Sequence, residues 1–344
     1  MTIRRYPEPL KRNGTIGLVA PSYGCATEPY ITRLEAALCE ARRRGFSVTE
    51  EPHVRLDEAF GRSGPADVLG AELNSAYLSP DNEALISVGG GELMCEVVPY
   101  IDFEAIASAK PKWYMGFSDN TNFTFLSATL ADTAAIYGPC FPALGITPWH
   151  KSVSDAVGLL TGEISSVKSY PSWELYDAEG DDPLAPYNLT EKTEYRYFNT
   201  EGRSLTLEGR LIGGCGDILF TLLGTRFDRV REFNERYAAD GIIWFLEFCD
   251  LHPMDVRRAL WAMREAGWFE KAKGFLIGRP LHFGEEQLGL TMYEAVYGAI
   301  GSLGVPIIED VDIGHLPPML PIVSGAAAEV RAEENGLEIK YLFR

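Results

Sequence analysis

A serine hydroxyl becomes a nucleophile only when a base takes its proton and donors receive the charge that forms on the attacked oxygen. The segment WYMGFSDNTNFTFLSATL offers such a serine. Ser118 stands where an apolar strand gives way to a helix, with Gly116 two residues before it. A sharp strand-to-helix turn presents the hydroxyl, and the following helix aims its N–H groups and positive end at the same place. The N–H of Asp119 is then a candidate oxyanion donor. The match to G-x-S-x-G is incomplete, because Asn120 occupies the place of the second glycine. A Ser118 or Asp119 that merely caps the helix would give the same local pattern.

Five histidines could supply the base: His53, His150, His252, His282 and His315. His315 is best placed, because EDVDIGHLPPM ends an apolar strand and carries the imidazole into the following loop, where parallel sheets build their sites. His252 also follows a strand closely and is the rival. A third member, a carboxylate, would hold the imidazole in the right tautomer and stabilise its charged form. Glu247 qualifies, since IIWFLEF puts one acid near the end of an otherwise apolar strand, where ionisation is costly without a partner. Asp250 is the alternative, and a structural ion pair with an arginine would equally explain Glu247.

Two glycine clusters complete the inventory. SVGGGE follows a strand, so Gly89 to Gly91 could bring bare backbone N–H groups to a reacting oxygen or a phosphate; LIGGCGDIL is similar. Neither is a GxGxxG or a P-loop, and each could be only a tight turn.

These residues need a scaffold that gathers strand ends. TIGLVAPS followed by ITRLEAALCEARRRGF reads as strand, loop and helix, with Ile31, Leu34, Ala37 and Leu38 at helical spacing and Arg42 to Arg44 before Gly45. The pattern recurs through SVTEEPHV, a helix around 68–78, the run 84–88, a helix after Gly91, a strand over 113–115, another helix and AAIYGP. Strands alternating with helices imply an α/β fold with a mainly parallel N-terminal sheet covered on both faces. From 152 to 203 the periodicity weakens, and SWELYDAEGDDPLAPYNLTEKTEYRYFNTEG reads as a linker with a long, tyrosine-rich functional loop. A second, smaller β-rich α/β region follows: the strand GIIWFLEF, a helix from Pro253 bearing Val256, Leu260 and Met263, the strand GFLIGR, a helix over 291–303, the strand VPIIEDVDIG and a closing hairpin. The expected division is 1–165 for the N-terminal domain, 166–205 for linker and loop, and 206–344 for the C-terminal domain.

Composition narrows the function. At 344 residues and 46% hydrophobic content the chain can bury one or two sizeable cores. Its net charge of -18 repels phosphate backbones and anionic lipid, so nucleic acid and membrane surfaces are not expected partners. No secretory signal is read in MTIRRYPEPLKRNG, and no apolar run is long enough to span a membrane. The six cysteines lie far apart without a C-x-x-C pair, which fits neither a disulfide scaffold nor a zinc site, so a soluble protein of the reducing cytoplasm is expected.

Taken together, seven pieces in order resemble the serine LD-carboxypeptidase family, which includes the microcin C immunity peptidases. They are IGLVAPS, ISVGGGE, YMGFSDNT, LIGG-x-x-x-x-L with LGT, FLE, GFLIGR after its helix, and DIGHLPPMLPIVSG. The resemblance implies a Ser-Glu-His triad on Ser118, Glu247 and His315, with oxyanion donors at the Asp119 N–H and the Gly90–Gly91 turn. It also implies two domains with the site between them, a homodimer, and neither cofactor nor metal. Val88 stands where murein carboxypeptidases carry an arginine before paired glycines, so the immunity-peptidase branch matches better there. That branch places a stacking tryptophan in a long loop, for which Trp173 is the counterpart, and Gly214, Cys215 and Asp217 are the other candidate substrate contacts. The expected activity is a serine hydrolase that cleaves an amide in an aminoacyl- or peptidyl-nucleotide such as processed microcin C. The alternatives are a murein tetrapeptide LD-carboxypeptidase that releases terminal D-Ala, and a non-catalytic homologue that binds a small ligand.

Overall fold

The apolar runs of the first half form short strands separated by helices. In chain order these are β1 (Thr15–Val19), α1 (Tyr30–Arg43), β2 (Ser47–Glu50), α2 (Ala66–Leu78), β3 (Ala84–Ser87), α3 (Met94–Val97), α4 (Phe103–Ser108), β4 (Trp113–Gly116), α5 (Thr121–Thr129), β5 (Ala135–Tyr137) and α6 (Lys151–Leu160). Helix α1 shows the local logic. Leu34, Ala37, Leu38 and Ala41 are buried on one stripe, Arg42 and Arg43 lie in the last turn, and Gly45 takes φ +94° just beyond it. The computed structural model describes residues 5–58, 60–175 and 182–343; Tyr176, where the expected tyrosine-rich loop begins, lies outside them.

The second half continues with β6 (Ser166–Lys168), β7 (Ser172–Trp173), β8 (Glu191–Lys192), β9 (Arg196–Phe198), β10 (Ser204–Cys215), α7 (Gly216–Leu222), α8 (Val230–Arg236), β11 (Ile242–Glu247), α9 (Pro253–Glu265) and β12 (Ala272–Gly278). After these come β13 (Glu286–Gln287), β14 (Leu290–Thr291), α10 (Met292–Ile300), β15 (Ile307–Val311), β16 (Ile322–Ser324), β17 (Ala327–Glu333) and β18 (Gly336–Leu342).

Two large sheets result. The first runs β16-β5-β4-β3-β1-β2, parallel except for β16. The second runs β6-β18-β17-β10-β11-β12-β15-β9, with a parallel centre of β10, β11, β12 and β15 and antiparallel flanks. The expected α/β class is therefore found, with a parallel-rich sheet flanked by helices and a β-rich C-terminal part.

Two boundaries differ from the expected ones. Strand β16 lies within 206–344 yet pairs antiparallel with β5 in the first sheet. The 152–203 interval also carries more order than a linker: α6 occupies its start, β6 pairs with β18, β7 with β8, and β9 with β15. Most of these strands are two or three residues long with partners remote in sequence, so no local periodicity announces them. One apolar cluster joins Met115 and Ile136 of the first sheet to Ile243, Ile308 and Ile339 of the second, giving the two lobes a shared core. Among the described residues no helix is long and apolar enough to cross a membrane.

Candidate active site

The strand ends of both sheets meet at one place. Ser118 follows β4 in a short 3-10 turn that leads into α5, and its backbone sits at φ +62°. A non-glycine residue is rarely found there, and such strain tends to mark sites where a side chain must be presented at a fixed angle. Gly116 is required by Asn120, since a Cβ on Gly116 would lie 2.7 Å from the Asn120 side chain. The Asn120 amide donates to the carbonyls of Gly89 at 2.7 Å and Phe117 at 3.0 Å, and its Oδ1 accepts from the Tyr114 hydroxyl. The residue that departs from the elbow pattern thus ties the serine turn to the Gly89–Gly91 turn.

His315 and Glu247 arrive from the second lobe. His315 Nε2 lies 2.9 Å from Ser118 Oγ, and His315 Nδ1 lies 3.0 Å from Glu247 Oε2. Glu247 ends β11 completely buried, and its other oxygen accepts a 2.6 Å hydrogen bond from the Tyr137 hydroxyl. Space for this carboxylate comes from two glycines. A Cβ on Gly278 would lie 3.0 Å from the Glu247 Cβ, and one on Gly314, which has φ +110°, would lie 2.9 Å from Glu247 Oε2. Burial alone opposes charge on both partners. Their mutual attraction outweighs it, so His315 is held well above the ordinary imidazole range, helped by a hydrogen bond with the Cys249 thiol, and Glu247 is held low.

The glycine turn packs against the serine turn. A Cβ on Gly90 would come within 2.9 Å of Ser118 Cβ, 3.1 Å of its Oγ and 3.8 Å of the Asp119 nitrogen, so bare backbone abuts the nucleophile. Gly91 takes φ +140°, and a Cβ there would strike Ser22 Oγ at 2.2 Å. The buried Asp119 carboxylate accepts from the Ser22 hydroxyl, from Met94 N–H at 2.8 Å and from the Asn122 amide at 2.9 Å. It pins the start of α3, and with it the glycine turn, to the serine turn.

The other candidates fall into distinct places. Gly214 packs against Thr121, whose Oγ1 accepts from the Cys215 N–H at 2.9 Å across the lobes. Cys215 is buried with its thiol beside Glu247. The Asp217 carboxylate is engaged by the N–H groups of Cys249, Asp250 and Leu251 at 2.8–3.0 Å and so shapes the loop after β11. Trp173 is 5% exposed, with Phe283 edge-on at 4.9 Å and the Arg279 guanidinium 4.8 Å from its ring. Of the remaining histidines, His53 pairs with Glu72, His150 caps α6, and His252 and His282 share Glu285.

Sequence reasoning passed over Tyr137, Ser22, Gly278 and Gly314, and read Asn120 only as a departure from the elbow pattern. Tyr137 had a readable signal, since a tyrosine ending a buried strand must find a partner for its hydroxyl. The partners of the others are set by folding.

Comparison with known proteins follows the same outline. The model of the LD-carboxypeptidase N-terminal domain matches residues 16–138, and that of the C-terminal domain matches 208–330. The chain is 24% identical to the microcin C7 self-immunity protein MccF of Escherichia coli, over 98% of this chain and 97% of that protein. It is 28% identical to the murein tetrapeptide carboxypeptidase of Pseudomonas aeruginosa, over 88% of each. The solved structure of MccF in complex with glutamyl sulfamoyl guanosine is similar in fold, with a TM-score of 0.80 at 20% identity over 98% of each chain.

Proposed function

This chain belongs to the LD-carboxypeptidase family of serine peptidases, and on that premise we propose that it cleaves an amide joining an amino acid or short peptide to a nucleotide-bearing group. The observation that carries the reading is the continuous path from Ser118 Oγ through His315 to Glu247, at 2.9 and 3.0 Å. His315 Nε2 takes the hydroxyl proton as Ser118 Oγ bonds to the carbonyl carbon, and Glu247 steadies the imidazolium through Nδ1. The negative oxygen rests on the N–H groups of Asp119 and of Gly90 or Gly91. His315 then gives its proton to the leaving nitrogen as the C–N bond breaks. Water repeats the sequence on the acyl-enzyme, restoring the Ser118 hydroxyl and releasing the acid.

Two facts support a nucleotide-bearing leaving group. The similar MccF is known in complex with glutamyl sulfamoyl guanosine, and Val88 stands where the family resemblance implies an arginine clamp for a peptide carboxylate in the murein branch. The second reading is release of D-Ala from a murein tetrapeptide, favoured by the 28% identity to the Pseudomonas aeruginosa carboxypeptidase. Purified enzyme offered an aminoacyl-sulfamoyl adenylate and a murein tetrapeptide side by side separates them, with faster turnover of the adenylate expected. Preference for the tetrapeptide reverses the assignment. Failure of a serine-directed probe to label Ser118 would instead favour a non-catalytic binding protein. The family resemblance also supports a homodimer, which sedimentation would show as twice the chain mass.

A further inference from the structure

A second cluster of chemically competent side chains lies outside the triad, and it does not depend on the hydrolytic reading. His252 immediately precedes α9 after the loop from β11, while His282 and Glu285 lie in the loop between β12 and β13. The two segments are braced by one backbone bond, Leu281 N–H to the Phe248 carbonyl at 3.0 Å, and by the Met254 N–H donating to the Gln287 side-chain Oε1 at 3.1 Å. On that brace the two imidazoles stack with centroids 4.4 Å apart and planes 24° apart. Both Nδ1 atoms face one carboxylate, His252 at 2.8 and 2.9 Å from its two oxygens and His282 at 3.5 Å.

We propose that His252, His282 and Glu285 form a binding site for a divalent transition metal of the zinc, cobalt or nickel type. The three ligand atoms lie within 4.8 Å of one another. Tetrahedral bonds of about 2.0–2.2 Å place ligand atoms roughly 3.3–3.6 Å apart. The 3.5 Å from His282 Nδ1 to Glu285 Oε2 already meets that, and the 2.9 Å from His252 Nδ1 to the same oxygen needs to open by only about half an ångström. Two imidazole nitrogens and one carboxylate oxygen form a donor set that favours these metals over calcium or magnesium. Side-chain exposures of 42%, 34% and 32% leave room for a water in the fourth position and a path for the ion. As an ion-pair network alone the arrangement is weak, since half-exposed pairs contribute about 0–1 kcal/mol. The mechanical effect of a bound ion would be local: Phe283, next to His282, packs on Trp173, so the metal would hold this loop against the β7–β8 hairpin.

The test is cobalt(II) titration of the full chain after dialysis against a chelator, read by visible absorption and by metal analysis. One equivalent with the d–d bands of a tetrahedral nitrogen–oxygen site is expected, and His282→Ala and Glu285→Gln should each weaken binding at least about tenfold. These side chains are part-exposed, and unchanged circular dichroism of the metal-free variants would show that the fold is kept; His252→Ala provides a third measurement. Absence of stoichiometric uptake, wild-type affinity in the variants, or thiolate charge-transfer bands would each overturn the proposal. The thiolate result would move the ion to cysteines such as the exposed Cys39.

Discussion

Ser118 carries the sharpest expectation. Its hydroxyl contributes one hydrogen bond to His315 from a preformed turn, so Ser118→Ala should lower kcat by a factor on the order of 10⁴ or more with little change in melting temperature. Turnover of a verified substrate at the wild-type rate would remove Ser118 from the mechanism. The pH profile tests its partner. His315 must be neutral to take a proton, yet Glu247 holds it well above its usual value of 6.5, so the free enzyme should gain kcat/KM through a midpoint above that value. Glu247→Gln should bring the midpoint down and lower kcat by about 10³–10⁴-fold; a midpoint that stays in place would show that Glu247 does not set it. Stability follows the opposite course. A raised imidazole stabilises the fold fully below its unfolded value, and that contribution disappears as pH rises through the folded value. The depressed Glu247 contributes above the usual carboxylate value of 4.5 and loses its contribution as pH falls through the folded one. Tyr137→Phe probes the next layer, because its hydroxyl donates to Glu247 and accepts from the Ser118 N–H at 3.2 Å. A loss of about 10–100-fold in kcat with the fold retained is expected, measured by steady-state kinetics beside calorimetry.

At the scale of elements, the turn after β3 and the turn after β4 act as one unit. A methyl group on Gly90 would sit 2.9 Å from Ser118 Cβ, in the space that the proposed mechanism gives to the attacked oxygen. Gly90→Ala should therefore abolish most activity while leaving the helical signal in circular dichroism intact, and near-normal kcat/KM would place the oxyanion elsewhere. The same two turns show what a linear sequence can and cannot disclose. Ser118, Glu247 and His315 were legible because each ends or follows an apolar strand, and parallel sheets gather such ends. Asn120 looked like a defect in the elbow pattern because its partners, Tyr114 and the Gly89 carbonyl, become neighbours only after folding. The glycines at 278 and 314 read as ordinary turns, since the side chain they make room for lies 31 and 67 positions earlier, at 247. The His252–His282–Glu285 group escaped for a related reason, with His252 on one loop and His282 and Glu285 on another that only the β11–β12 register brings together. Between 166 and 198 the strands are too short for a period of two to accumulate.

The whole molecule adds a field to this local chemistry. Its charge of -18 is spread over a chain whose candidate catalytic groups lie at the junction of two sheets, and the surroundings of the site are acidic as well. Glu92, beside the glycine turn, has its carboxyl pushed up by partial desolvation and then by Asp250, Asp119 and Asp217. Such a field slows the approach of an anionic substrate and hastens that of a cationic one, over distances comparable with the ~10 Å screening length at 0.1 M salt. A murein tetrapeptide with net negative charge should accordingly show a kcat/KM that rises about two- to tenfold when salt is raised from about 20 to 200 mM, because screening relieves repulsion. The effect belongs to encounter and not to the chemical step, so kcat at saturation should stay flat. Measuring both parameters against ionic strength, with a neutral aminoacyl amide as control, separates the two contributions. A kcat/KM that falls with salt for the anionic peptide would mean that a local cationic group governs its capture in spite of the overall charge.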